Sequence, residues 1–267
     1  MSATRFTDIR RLTTVDSTNR YLLDEARSGA PEGMVVVADH QSAGRGRLGR
    51  TWEAPAGSNL LMSVLLRPEL PDDQRHLASA VVALAAADAC RQVAGVVPGV
   101  KWPNDLLGPD GRKLAGVLAE ADLAPAGRSA PPGPPGPPAT AIVVGIGINV
   151  NWPARESDLG PDLAGSATSL HRVTGARVDR TTLFEALLEA LEPRVADLAH
   201  PPGRLRQAAD FRARCTTLGT RVRVETAGGW LEGTARDLTS HGHLEVEVDG
   251  AVRTVVAGDV VHVRGAG

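Results

Sequence analysis

The chain is poor in cysteine, in lysine and in long apolar runs. Its two cysteines, Cys90 and Cys215, stand far apart and outside any metal-ligand spacing, which fits a reducing cytoplasm. No apolar run approaches the roughly 18 residues that span a bilayer. The longest, over 77–89, is alanine-rich and reads as a buried helix. The N-terminus lacks the basic-then-apolar pattern of a secretory signal. A net charge of −2 and a pI near 6.4 exclude a general affinity for nucleic acid. What remains is a soluble cytoplasmic protein of 267 residues, long enough for one sizeable domain and a small one.

The shortage of lysine is itself informative. Of 29 basic residues only Lys101 and Lys113 are lysine. A compositional preference for arginine accounts for most of this. Both lysines nevertheless fall in one short segment, and lysine offers a compact charge that arginine does not. Both are therefore candidate functional residues.

The densest cluster is Gly44-Arg45-Gly46-Arg47-Leu48-Gly49-Arg50, directly after the apolar run 34–38. Glycine permits close backbone approach, and arginine suits phosphate and carboxylate. The spacing predicts a loop over 41–52 that closes Arg45 and Arg47 around an anion. The literal Gly-x-Gly-x-x-Gly match to a dinucleotide fingerprint fails, because Trp52-Glu53-Ala54-Pro55 cannot open a helix. No Gly-Lys-Ser/Thr closes it as a phosphate-binding loop. A solvated basic turn or a nucleic-acid arm are the other readings.

Asp16-Ser17-Thr18-Asn19 precedes a helical stretch, which Ser17 or Asp16 can cap; its hydroxyls and amides also form a ready anion site. Strands are predicted over 34–40, 59–66 and 97–102, and a long amphipathic helix over 70–93. The runs 114–121 and 141–148 can pair as a hairpin around a proline-rich stretch at 125–138, read as an extended or disordered surface loop. Helices follow over 181–198 and 204–214, with His200-Pro201-Pro202-Gly203 as an interruption. Short alternating strands over 221–226, 230–238, 244–248 and 252–256, separated by glycine turns, suggest a small appended barrel.

Three further clusters complete the set. In Lys101-Trp102-Pro103-Asn104-Asp105 the proline holds its neighbour out of helix, so Lys101 ends a strand and can reach an anion held by the arginine loop. Lys113-Leu114-Ala115-Gly116-Val117-Leu118-Ala119-Glu120 adds the second lysine and a glycine where a ligand can approach a strand. Gly145-Ile146-Gly147-Ile148-Asn149 ends another strand with small residues, suited to packing against a flat ring or simply to a glycine-containing core strand.

These clusters, in this order and over nearly the whole chain, resemble the biotin protein ligases. The resemblance implies an α+β fold: a mixed sheet flanked by helices, related to class II aminoacyl-tRNA synthetases, over 1–216, followed by an SH3-like barrel over 217–267. It implies an ATP-dependent, C–N bond-forming ligase that makes biotinyl-5′-AMP and transfers biotin to one lysine of a biotin carboxyl carrier domain of an acyl-CoA carboxylase. The implied small molecules are biotin, ATP and Mg²⁺, the ion complexing the leaving pyrophosphate, with no protein metal ligand, no nucleic acid and no membrane. The oligomeric state implied is a monomer or weak homodimer. Only about sixteen residues precede Ser17, which leaves no room for the DNA-binding domain of repressor relatives.

Residue by residue, the resemblance assigns Arg45, Arg47 and Lys101 to catalysis. Biotin is held by Ser17, Thr18, Asn19, Gln41, Gly44, Arg45, Gly46, Arg47, Lys101, Gly116, Gly145 and Gly147. ATP meets Arg45, Arg47, Arg50, Trp52, Lys113 and Asn149. Neither step needs a covalent nucleophile, which agrees with the lack of a Ser-His-Asp or Cys-His set. The first step drives an anion at a polyanion. At about 4 Å and an effective dielectric near 20, each like-charge pair costs roughly 4 kcal/mol, so cations are essential. The chain departs from the pattern twice. Leu48 stands where relatives often have a second basic residue, and no aromatic lies at 166–168, where some relatives stack one on adenine. Lipoate ligation on the same architecture, a nucleic-acid-binding regulator and a non-catalytic adaptor are the competing functions.

Overall fold

The computed structural model describes residues 4–122, 140–161, 163–226, 229–256 and 259–262. The proline-rich stretch at 125–138 lies outside the described residues. Seven strands form one mixed sheet, in the order β1 (Ile9–Val15), β2 (Val35–Gln41), β3 (Leu60–Leu66), β7 (Ala141–Ile148), β6 (Lys113–Asp122), β5 (Asp105–Leu107) and β4 (Gly99–Lys101). Only β1 and β2 run parallel; β6 and β7 form the expected antiparallel hairpin.

The period-two alternation of these strands divides the residues between two faces. Ile142, Val144, Ile146 and Ile148 of β7 face the large core under helices α2 (Leu77–Ala94) and α4 (Arg180–Leu198). Ala141 and Val143 face the smaller cluster under α1 (Thr18–Arg27). Gly145 and Gly147 continue that second row. They carry no side chain on the sheet beyond the N-terminus of α1, opposite Leu118 and Gly116 of β6. The fold thus clears a floor for the site by placing glycine where a side chain would stand.

Several elements differ from the sequence reading. β1 escaped it because Ile-Arg-Arg-Leu-Thr-Thr-Val carries the polar residues of an exposed edge strand. The helix read from residue 70 opens as a 3-10 turn at Asp72–Gln74, and the α-helix begins at Leu77. The run 77–89 is indeed buried within it. The break expected after Leu198 is there, but Pro201 and Pro202 already start helix α5 (Pro201–Ala213), ahead of the expected start at 204, since proline is tolerated in the first turn, where its missing N–H is not needed. A short helix α3 (Leu170–Thr174), capped by Ser169, was not visible in the pattern.

The C-terminal strands β8 (Arg221–Thr226), β9 (Gly229–Leu238), β10 (Leu244–Val248) and β11 (Ala251–Val255) match the predicted runs, and β12 (Asp259–His262) is an addition. They form an antiparallel sheet in the order β11-β10-β9-β8-β12, with no ladder pairing β11 to β12 among the described residues. This sheet is tied to the main one beside Lys101. The Trp102 backbone N–H donates to Thr217 Oγ1 at 3.0 Å, and the Trp102 indole donates to the Gly242 carbonyl at 2.9 Å.

Candidate active site

The N-terminus of α1 builds one end of the site. Ser17 caps the helix by accepting from the Arg20 amide, as expected, and Ser17, Thr18 and Asn19 are all buried. Gln41, at the end of β2, accepts from the Thr18 amide at 2.8 Å and its hydroxyl at 3.0 Å. Ser63 of β3 stands 2.7 Å from Thr18 Oγ1 and 2.6 Å from Asn19 Oδ1. Asn19 Nδ2 donates to the Leu118 carbonyl at 3.1 Å and to Glu120 Oε2 at 2.8 Å. A Cβ at Gly145 would fall well inside contact with Asn19 Oδ1, so glycine there lets the helix terminus reach the sheet.

The arginine loop forms the roof. It is a tight hairpin, not a structureless loop. Arg45 bridges to Thr51, the Trp52 amide donates to the Gly44 carbonyl at 3.0 Å, and the Gly46 amide donates to the Arg50 carbonyl at 2.7 Å. The turn at its tip carries Leu48 and Gly49 at φ 55 and 72. The exposed Leu48 therefore holds a left-handed conformation that glycine or asparagine adopts more readily. A Cβ at Gly44 would collide with the Trp52 carbonyl. Gly46 has no atom of the fold within 3.5 Å of a Cβ, so the fold itself does not require glycine there.

The flat ring expected on the glycine strand is the protein's own. The Trp52 indole rests on the floor, with Cε2 2.5 Å from a Cβ at Gly147 and Cζ3 3.3 Å from one at Gly116. Its buried Nε1 has no hydrogen-bond partner. Lys113 Nζ lies 5.6 Å from the ring centroid and 2.8 Å from Asp105 Oδ1. Arg45 reaches Glu120 at 3.2 Å, and Arg47 Nη1 donates to Asn104 Oδ1 at 3.1 Å. Lys101, at the end of β4, borders the same space.

One cleft of about 1580 Å³ is lined by every expected site residue except Gly44. Sites for single small molecules usually measure about 300–1,000 Å³, so two ligands fit side by side. Asn149 lines it, but its amide is already engaged. Its Nδ2 donates to the Thr168 carbonyl at 3.0 Å, and its Oδ1 accepts from Asn59 Nδ2 at 3.1 Å. Arg45, Arg47, Arg50, Lys101 and Lys113 thus all border a cleft that has a neutral, hydrogen-bonding pocket at its α1 end. Such a place suits a ligand with an amide-like ring at one end and an anion at the other.

The biotin/lipoate A/B protein ligase family model matches residues 12–124, and the biotin protein ligase C-terminal domain model matches residues 217–263. The chain is 41% identical over 254 residues to the biotin–[acetyl-CoA-carboxylase] ligase of Mycobacterium tuberculosis, covering 93% of this chain and 86% of that one. The chain belongs to the biotin protein ligase family. It is an ATP-dependent enzyme of that kind. The ligase is also 32% identical to the bifunctional ligase/repressor BirA of Bacillus spizizenii, covering 92% of this chain and 71% of that one. A solved structure of the biotin protein ligase from Aquifex aeolicus, in complex with biotin and ATP, superposes with a TM-score of 0.79 at 25% identity, over 97% of this chain and 100% of that one.

Of the polar residues that sequence reasoning missed, Asn104 and Asp105 line the ligase's cleft, and Ser63 and Glu120 bond Asn19 beside it. Three of them sit inside motifs it had already marked. Ser63 is the one polar residue of the apolar strand Leu60–Leu66, which was the available signal.

Proposed function

We propose that this ligase joins biotin to a lysine of a biotin carboxyl carrier domain in two steps. A biotin carboxylate oxygen attacks the α-phosphorus of ATP and releases pyrophosphate, forming biotinyl-5′-AMP. The unprotonated ε-amine of the carrier lysine then attacks the acyl carbon, the C–O bond to AMP breaks, and the amide forms. The observation that carries this reading is the convergence of Arg45, Arg47, Lys101 and Lys113 on a cleft whose other end is a buried network of the neutral donors and acceptors Thr18, Asn19, Gln41 and Ser63.

In this reading Ser17, Thr18, Asn19 and Gln41 hold the ureido ring, and Gly116, Gly145 and Gly147 make room for the apolar part by letting Trp52 and Asn19 lie low on the sheet. Gly44 shapes the loop, while Gly46, free of any packing demand, lets its backbone approach the anion. Arg45 and Arg47 clamp the carboxylate and phosphates, and Lys101 bridges the carboxylate and α-phosphate. Lys113 and Arg50 support the phosphates. Trp52 supplies an aromatic wall for adenine, and Asn149 braces that side through its bonds to Thr168 and Asn59. Catalysis is positioning plus charge neutralisation.

Among the described residues no cluster of three or more His, Cys, Asp or Glu side chains can hold a metal ion. Mg²⁺ would reach the site bound to the phosphates of ATP and complex the leaving pyrophosphate. The catalytic unit spans residues 1–216, the C-terminal unit over 217–267 is of the SH3-like kind, and the enzyme works in the cytoplasm.

The test is transfer of biotin to an isolated carrier domain by the wild type and Lys101→Ala. Transfer should require ATP and fall by about 10²–10³-fold in the variant, the loss expected for removing one charge-stabilising donor. Labelling by lipoate in place of biotin, or full activity in Lys101→Ala, would overturn the reading.

A further inference from the structure

Glu120 belongs to none of the roles above, yet it touches both halves of the site. It follows Gly116 and Leu118 along the same face of β6, at the margin of the glycine floor. Its carboxylate accepts from Asn19 Nδ2 at 2.8 Å and from Arg45 Nη2 at 3.2 Å. Asn19 in turn meets Ser63, which meets Thr18 and through it Gln41. One acid thus connects the neutral pocket under α1 to the cationic loop above it.

We propose that Glu120 is a positioning residue that parks the arginine loop, holding Arg45 on β6 until an anionic ligand takes over the guanidinium. The inference rests on the reading of the cleft as a biotin and ATP site. The Glu120 side chain is 25% exposed and Arg45 47%, so water competes with their pairing. A pair of this kind shifts an equilibrium by only about two- to fivefold. That is strong enough to bias a loop and weak enough to yield to a polyphosphate, whose charge-assisted bonds to arginine are stronger. While Arg45 is parked, the apparent affinity for ATP is reduced in proportion to the parked fraction. The arrangement keeps the Arg45 guanidinium occupied at the edge of the cleft when ATP is absent and frees it when ATP arrives. It also gives Asn19, and whatever ligand orders Asn19, a direct influence on the loop.

Glu120→Gln keeps the shape, keeps an acceptor for Asn19 and removes the charge. In the ligand-free full chain, trypsin should cut after Arg47 and Arg50 about two- to fivefold faster than in the wild type. Arg45→Gln breaks the same pair from its exposed side and should give the same increase, so a Glu120→Gln chain that fails to fold does not block the test. The double variant should show no further increase. In biotin-dependent ATP–pyrophosphate exchange, Glu120→Gln should lower the KM for ATP by a similar factor. A purely structural role would instead raise that KM or lower kcat, and would leave the trypsin rates alone. Unchanged cleavage in both single variants, or a higher KM, overturns the proposal. An absence of exchange in the wild type would count against the biotin and ATP reading, and the cleavage rates would still decide the role of Glu120.

Discussion

Gly145 is the position where one added methyl group tests the most of this account. A Cβ there falls well inside contact with Asn19 Oδ1 and 3.1 Å from Ser63 Oγ. Both neighbours are buried, so neither can swing into solvent. Overpacking of this kind costs about 1–3 kcal/mol. If Asn19 moves aside, its bonds to the Leu118 carbonyl and Glu120 weaken as well, at about 1 kcal/mol for the neutral one and somewhat more for the charged one. Replacing a strand glycine by alanine returns about 0.5–1 kcal/mol of backbone entropy. The net expectation for Gly145→Ala is a loss of about 2–4 kcal/mol. In a chain of this size that lowers Tm by about 5–15 °C. Displacing Asn19 also disturbs Thr18 and Gln41, so the KM for biotin should rise at least about tenfold, whereas the KM for ATP should change less. Gly46→Ala is the matched control, because its Cβ meets nothing within 3.5 Å. Its Tm should stay within about 2 °C of the wild type, and any loss should appear in adenylate formation. Differential scanning calorimetry and biotin-dependent pyrophosphate exchange read both variants. A Gly145→Ala protein with wild-type Tm and wild-type KM for biotin would refute the claim that the glycine exists to admit Asn19.

Replacing Arg45 and Arg47 together by alanine should slow adenylate synthesis by about 10³-fold or more, since each charge-stabilising donor is worth about 10²–10³; single-turnover formation of biotinyl-5′-AMP measures it. His76 should make the protein acid-sensitive. It is packed beside His243, with ring centroids 5.6 Å apart, and also senses His241 and Asp73. Burial, reinforced by the two other histidines, pushes its pKa down to about 4 against the partial opposition of Asp73. The unfolded chain therefore takes up this proton first, and stability falls as pH drops from about 6.5 towards 4. The contribution is on the order of 3 kcal/mol. Urea denaturation of the wild type and His76→Gln across that window should show a shallower slope in the variant, and parallel curves would contradict it.

The parts of this fold that were legible in the sequence are those where local chemistry and tertiary environment agree. The β6–β7 hairpin, helix α4 and the Ser17 cap were readable because apolar periodicity and capping chemistry carry them without help. β1 was not, because an edge strand with exposed arginines and threonines looks like a loop. The site's motifs were legible as residue types, but their internal pairing was not. Nothing in the spacing told that Lys113 would meet Asp105, or that Arg47 would meet Asn104. Those contacts depend on the register of β5 against β6, which has a shift between Leu106 and Leu107. The ring over the glycine strand was anticipated, but its source was not. Trp52 lies about a hundred residues from Gly147 and reaches it only because the arginine loop folds back.

The placement of Trp52 explains why three glycines stand on two neighbouring strands. Gly116 and Gly147 are paired across β6 and β7, and Gly145 faces Leu118 one step along. A row of side chains here would lift both Trp52 and Asn19 off the sheet. Trp52 is covalently part of the arginine loop, so its depth on the floor sets the height at which Arg45, Arg47 and Arg50 ride above the cleft. Asn19 is part of α1, so its depth sets how far the neutral pocket reaches towards those cations. The glycines therefore fix the distance between the two ends of the site, and in the proposed reading that distance spans a ureido ring and the carboxylate it carries. A larger residue at Gly147 should raise the roof and slow adenylate formation, while one at Gly145 should move the pocket and weaken biotin binding. The two effects separate only if the floor acts as two independent supports.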